Sequence, residues 1–163
     1  MTKQPFVPCA LYDPGTYQPD QSVGYLMRLV LSSIRSQADA KLLAHDLTYV
    51  QWLPLFKLTL NDGNTVASLA RDLEIDPGAM TRSLDRLEAK GLIKRERSTG
   101  DRRVVQLVLT DEGRQVARKV PAVITEVLNG HLQGFSESEW ALLRDFLKRM
   151  LANGEALRQG GDK

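Results

Sequence analysis

The sequence predicts a mainly α chain with one small β-hairpin, arranged as a winged helix-turn-helix between N- and C-terminal helices. Three observations carry this prediction. Two short helical patterns, Thr65 to Leu73 and Asp76 to Lys90, are separated by a tight turn. A pair of alternating, β-branched segments joined by Ser98-Thr99-Gly100-Asp101-Arg102 follows directly. Long helical periodicities stand on both sides. The 163 residues are 42% hydrophobic, 26% charged and 6% aromatic, the profile of one ordinary globular domain, long enough to bury a core without disulfides or metal.

Each element has a local cause. Residues 1–20 hold Pro5, Pro8, Pro14 and Pro19, so this arm runs extended or turning and either docks on the body or stays disordered. Leu26, Val30, Ile34 and Leu42 recur at helical spacing, which predicts a long helix from Val23 to about Ala44. Thr48-x-x-Gln51 reads as a capping box opening a second helix that runs to Leu60, with Pro54 as a kink. After the turn Asn61-Asp62-Gly63-Asn64, Val66, Leu69, Ala70 and Leu73 make one apolar face. Asp76 caps the next helix, Pro77 occupies its first position, and Gly91 stops it after Lys90. Strands are expected at Leu92 to Ser98 and Arg103 to Leu109. Thr110 caps a helix with Asp111 and Glu112 in its first turn, where the macrodipole favours them; it runs toward Gly130 with a kink at Pro121. Ser136-x-x-Glu139 opens the last helix, to about Ala156.

Several classes of function are excluded at this level. No apolar run approaches the ~20 residues of a membrane span, and none resembles the apolar core of a signal peptide, so a cytoplasmic protein without a membrane partner is expected. Cys9 is the single cysteine, and His45 and His131 are far apart, so neither a disulfide scaffold nor a zinc site is expected. There is no P-loop, G-x-G-x-x-G, H-E-x-x-H, Cys-x-x-Cys or nucleophile elbow; the reading is of a non-enzyme with no cofactor.

Charge is more informative in its distribution than in its total of +2. Between Arg82 and Arg103 stand eight basic residues against four acidic ones, so the rest of the chain is slightly acidic. Such a block attracts a polyanion, or forms a solvated charged face. On a helical wheel Ala79, Arg82, Ser83, Arg86 and Lys90 share one side, with Thr81 grouped beside them, while Met80, Leu84 and Leu87 share another. This suits a recognition helix in a major groove, where arginine bonds the guanine O6/N7 edge and serine or lysine anchors phosphate; the alternative is a generic amphipathic surface helix. At the hairpin tip, Asp101 lies two residues before Arg103 and could orient its guanidinium for a minor groove, with Arg102 on phosphate and Arg97 nearby; the alternative is a solvated turn with an ordinary ion pair.

The runs Val66 to Leu73 and Met80 to Ile93, together with Arg97, Asp101-Arg102-Arg103 and Leu109 to Gly113, resemble the MarR-type transcriptional regulators over roughly residues 48–113. The resemblance implies a triangular homodimer joined through its N- and C-terminal helices, each wing and recognition helix reading half of a pseudo-palindromic double-stranded DNA operator. It also implies a repressor, often of a divergent neighbouring gene, released by a small aromatic acid or phenol bound between the helices and the DNA-binding lobe. Some members of the family sense oxidants through an N-terminal cysteine. Pro8, Ala10 and Leu11 offer Cys9 no cation, so it reads as an ordinary thiol, with redox sensing as the alternative.

Two stretches speak to partners directly. Trp140, Leu143, Phe146, Leu147, Met150 and Leu151 make the last helix broadly apolar, which favours a homodimer unless the stripe packs on the helix after Thr110. Tyr49, Trp52 and Phe56 share a face just after His45, and Tyr25, Arg28, Ser32 and Arg35 or Ser36 form a polar stripe on the first helix. Aromatic walls with a cation suit a phenolic or pyridine carboxylate, while an aromatic stripe at helical spacing also suits a core. The division that follows is arm 1–20, N-terminal dimerisation helix 21–47, winged helix-turn-helix 48–110, C-terminal dimerisation helices 111–157 and tail 158–163. A winged helix that binds DNA without sequence preference, as an architectural component, is the rival reading.

Overall fold

The computed structural model describes residues 11–60, 64–98, 100–101 and 103–160; Cys9, Arg102 and residues 61–63 lie outside the described residues. In chain order it forms α1 (Val23–Leu42), α2 (Tyr49–Leu60), α3 (Val66–Asp72), α4 (Pro77–Ala89), β1 (Ile93–Arg97), β2 (Val105–Leu109), α5 (Asp111–His131) and α6 (Glu137–Gly160). The strands pair antiparallel, Ile93 with Leu109 and Arg97 with Val105. This is the predicted fold class, a helical chain with a hairpin wing.

The described part of the arm docks on the start of α1. The Tyr12 hydroxyl accepts the Val23 N–H at 2.9 Å, and Ser22 caps the helix by accepting from the Tyr25 N–H at 3.2 Å. Along α1 the expected apolar face divides. Ala38 and Leu42 are buried and Ile34 packs on the core, but Leu26 and Val30 are half exposed. The Thr48 capping box is only half formed: Gln51 Oε1 accepts the Thr48 N–H at 3.1 Å, while the next orphan donor, Tyr49 N–H, goes to Asp39 Oδ1 at 2.6 Å. The Gln51 N–H, which the Thr48 hydroxyl would have accepted, goes to the Thr48 carbonyl at 2.9 Å instead, and a carboxylate on α1 satisfies the first orphan donor.

Both internal prolines lie within continuous helices. Pro54 has no N–H to give to the Val50 carbonyl four residues earlier. The Ser83 hydroxyl of α4 supplies that bond instead, at 3.1 Å. Ser83→Ala should therefore cost about 1 kcal/mol by urea denaturation, because it strands an acceptor, and the cost should shrink in a Pro54→Ala background, where the helix N–H returns. An undiminished loss in that background would refute the compensation.

The elements from α3 to the hairpin follow their local signals closely. Thr65 and Ser68 form a reciprocal capping box, Asp76 Oδ1 accepts the Ala79 N–H at 2.9 Å, and α4 ends in a Schellman arrangement around Gly91, whose φ is +68°. Leu92 N–H reaches Leu87 O at 3.0 Å and Gly91 N–H reaches Glu88 O at 2.8 Å. Leu55, Leu69, Met80, Leu84, Leu87, Ile93 and Leu107 fill the core between these elements and the hairpin, with Ala117 and Val120 of α5 closing it. Lys41 pairs with Glu126 at 2.8 Å, tying α1 to α5. In contrast, α6 buries no residue of its own. Its capping box is complete, Ser136 N–H donating to Glu139 Oε2 at 2.8 Å, and hydrogen bonds from Ser136 hold the Glu139 carboxyl below its ordinary range. The apolar stripe predicted for α6 is thus present but uncovered within one chain: Phe146 is 47% and Leu151 68% exposed. No helix is long and apolar enough to cross a membrane among the described residues.

Candidate nucleic-acid interface

The orientation of α4 decides which of its polar residues face outward. Its buried arc is Met80, Ser83, Leu84 and Leu87, and Ala79 is half-buried against α2. The exposed face is Gly78, Thr81, Arg82, Asp85, Arg86 and Ala89. Three of the residues expected to face DNA are therefore corrected. Ser83 serves the Val50 carbonyl. Ala79 lines a cavity beneath α2. Lys90 is drawn onto the α1–α2 connection, where its ammonium reaches the Asp46 carbonyl, Asp46 Oδ1 at 3.1 Å and Gln51 Oε1 at 3.3 Å. The physical reason is common to all three: α2 crosses α4 on the flank that carries residues 79, 83 and 90, which lie on one side of a helix.

The acidic residues inside the basic block are all engaged. Arg95 on β1 reaches back to α4, donating from Nη2 to Asp85 Oδ1 at 2.6 Å, from Nη1 to Glu88 Oε2, and from its backbone N–H to Glu88 Oε1 at 3.1 Å. Partial burial disfavours its charge, yet the two carboxylates outweigh this and raise its proton affinity. Arg95 thus clamps the wing to α4, a role the sequence reading missed, although two carboxylates three residues apart on one helix face were a visible signal. Glu96 pairs with Lys94 at 2.5 Å.

Asp101 also departs from expectation. Its Oδ1 accepts the backbone N–H of Arg103 at 2.9 Å, so it shapes the tip as an Asx turn and leaves the guanidinium alone. Val104 N–H to Asp101 O and Ser98 N–H to Val104 O, both 2.9 Å, close the tip. With Asp85, Glu88, Glu96 and Asp101 occupied, the exposed residues Arg82, Arg86, Arg97 and Arg103 have no carboxylate partner among the described residues. Four unpaired guanidiniums on α4 and the wing make a surface suited to phosphates and base edges.

The residues considered for a ligand do not converge. Tyr49 and Trp52 stack edge to face at 6.2 Å and line a cavity of about 200 Å³ with Leu53, Ile75, Ala79 and Met80. Its walls carry no charged group, and the Trp52 indole N–H is buried without a partner. Phe56 lines a different groove. Tyr25 lies under the Arg28 guanidinium at 4.8 Å on the open side of α1, Ser32 is exposed beyond it, and His45 sits in the turn after α1; these four line neither space. The expectation of one cleft built from all seven is corrected: the buried residues of α1 are Ala38 and Leu42, near its C-terminal end, where Asp39 meets the Tyr49 N–H of α2, whereas Tyr25, Arg28 and Ser32 stand nearer its start.

Comparison with known proteins agrees with this architecture. Residues 47–105 match the model of the MarR family. The chain is 37% identical over 106 residues to the helix-turn-helix-type transcriptional regulator TtmR of Methylorubrum extorquens, a match covering 65% of this chain and 53% of that protein. It is 31% identical over 99 residues to YhbI, an uncharacterised helix-turn-helix-type transcriptional regulator of Bacillus subtilis, covering 61% of this chain and 64% of that one. The matched regions thus span 53% and 64% of these relatives' own lengths, less than two thirds of either. Among solved structures, MepR of S. aureus in its DNA complex superposes with a TM-score of 0.74 at 25% identity, over 83% of this chain and 99% of that chain.

Proposed function

We propose that the chain, which matches the MarR family model over residues 47–105, is a winged-helix, sequence-specific transcriptional repressor, binding a pseudo-palindromic operator as a homodimer and released by a small aromatic acid. The observation that carries DNA binding is the set of four arginines on α4 and the wing, Arg82, Arg86, Arg97 and Arg103, that have no carboxylate partner among the described residues, since the acidic residues of the block are engaged elsewhere. Two copies of this face, about 34 Å apart, enter successive major grooves. The uncovered apolar faces of α1 and α6 are the surfaces that would set this spacing.

The test is a fluorescence anisotropy titration against the chain's own upstream DNA and a scrambled duplex at ~150 mM salt, where nonspecific phosphate binding is weak. A repressor prefers its operator by ~10³ or more; equal binding to both duplexes identifies an architectural protein instead. In the same assay Arg86→Ala is expected to cost about 1–3 kcal/mol on the operator and to relax base preference, since it removes a base-edge contact. Arg103→Ala weakens binding through the wing. Equal losses on operator and scrambled DNA for Arg86→Ala contradict the base-reading role.

A further inference from the structure

We propose that Gly78 sets the base preference of α4, by leaving room for the Arg82 guanidinium to lie back over the first turn of the helix, where it meets the O6/N7 edge of a guanine. The proposal rests on the sequence-specific DNA-binding reading above and deepens it. Asp76, Pro77 and Gly78 open α4, with the Asp76 carboxylate accepting the Ala79 N–H at 2.9 Å and Pro77 at the first helical position. Neither the cap nor the backbone asks for glycine at the next position. Gly91 and Gly134 are the described glycines with positive φ, so the backbone at Gly78 is open to any residue, and most favour a helix more than glycine does.

What the position lacks is space. A Cβ there would stand 3.2 Å from Asp76 Oδ1 and 3.4 Å from Arg82 Nη1, whereas at Gly24, Gly130 and Gly154, also within helices, it would meet nothing within 4 Å. Helical side chains lean toward the N-terminus, so Arg82, four residues on, runs back over Gly78. The Asp76 carboxylate borders the same gap and draws the cation toward it. Arg82 keeps its donors, forming no ion pair or hydrogen bond among the described residues. This end of the helix is the one that a helix-turn-helix points at base edges. Gly78 has no side chain to offer, and the Thr81 hydroxyl donates to the Pro77 carbonyl at 2.8 Å, so toward a groove Thr81 presents an acceptor and a methyl group. Arg82 therefore supplies the side-chain donors here, and its planar fork matches guanine O6 and N7. A β-branched residue at position 78 would fill the gap from two sides and lift the guanidinium off the turn, leaving its charge near phosphate but its fork away from the bases.

The test uses the full chain and duplexes enriched from a randomised pool, for wild type, Gly78→Val, Arg82→Ala and the double variant. Wild type is expected to enrich a site with guanine at one fixed position in each half. Gly78→Val is expected to lose affinity for that site by about tenfold or more, the discrimination of one bidentate contact, and to accept other bases at that position. Its affinity for a scrambled duplex should change by less than about twofold, because the cation remains near the phosphates. Its thermal midpoint should hold or rise, since valine favours a helix more than glycine does. In the Arg82→Ala background the same substitution should cost nothing further, the mark of an effect carried through Arg82. An undiminished cost in that background means that the valine meets DNA itself, and overturns the proposal. So does a wild-type base preference in either Gly78→Val or Arg82→Ala, or a lowered midpoint with preference intact, which reports only a displaced Asp76 cap. Those results leave the sequence-specific reading standing. A wild type that enriches no site overturns that reading together with this one.

Discussion

Gly113→Ala is expected to destabilise the chain by about 3 kcal/mol or more, measured as a fall in the urea denaturation midpoint, the largest single-residue effect expected in the lobe. A Cβ at this position would stand 1.8 Å from the Leu92 carbonyl oxygen and 2.8 Å from its carbon. Neither side can yield cheaply. Leu92 O accepts from the Thr110 N–H at 3.1 Å and from the Thr110 hydroxyl at 3.2 Å, and Leu92 N–H closes the end of α4 at Leu87. Leu92 is further held by Gly91, whose left-handed φ few other residues adopt at low cost. The Thr110 hydroxyl also caps the Gly113 N–H at 2.9 Å, so α5 is anchored at the point where the missing side chain matters. Recognition helix, wing and α5 meet at this joint, and a shift there would misplace the arginines as well as weaken the core. Gly130→Ala is the control: a Cβ there meets nothing within 4 Å, so it should raise stability by about 0.5–1 kcal/mol through helix propensity. A wild-type midpoint for Gly113→Ala would mean that α5 can slide from Leu92, contrary to the packing described.

Phe146→Asp is expected to turn a dimer into a monomer in analytical ultracentrifugation and to lower operator affinity by about 10² to 10⁴-fold. In the proposed dimer, the second half-site contact would be intramolecular only while the two copies remain joined. The argument begins with α6, which runs from Glu137 to Gly160 without burying a residue, yet carries Trp140, Leu143, Phe146, Met150 and Leu151 along its length. The first half of α1 repeats the pattern with Leu26, Met27 and Val30. Apolar stripes of this length on two helices that one chain leaves uncovered mark an interaction surface, and in the proposed homodimer a second copy of the same chain would cover both by two-fold symmetry. A carboxylate at Phe146 would be desolvated without a partner in that interface. The core of the DNA lobe contains no α6 residue, so circular dichroism should remain helical in the variant. A variant that sediments as wild type does, or a wild type that is monomeric at working concentration, refutes the dimer.

Most elements were legible because their signals are local. The Asp76-Pro77 start, the Gly91 stop, the Thr110 cap and the Ser136-x-x-Glu139 box each involve residues within a few positions of one another, and each forms in the structure. The Thr48 box was read by the same logic but came out half formed: the Gln51 amide returns to Thr48 N–H, while the Gln51 N–H goes to the Thr48 carbonyl rather than its hydroxyl, and Asp39 of α1 takes the Tyr49 N–H. The basic block was visible as a count, whereas the pairing that leaves Arg82, Arg86, Arg97 and Arg103 open requires β1 to fold back so that Arg95 meets Asp85 and Glu88.

What the sequence by itself determined, then, is the order of elements, their caps and the presence of a basic helix beside a cationic wing, since these depend on spacing and on backbone donors within one turn. What only the tertiary structure decided is rotation and company. The apolar residues Met80, Leu84 and Leu87 orient α4 toward a core, but a helix has two flanks beside its apolar stripe, and periodicity treats them alike. The crossing of α2 chose the flank that buries Ser83 and captures Lys90, because Pro54 left a carbonyl there to be satisfied and Asp46 a carboxylate to be paired.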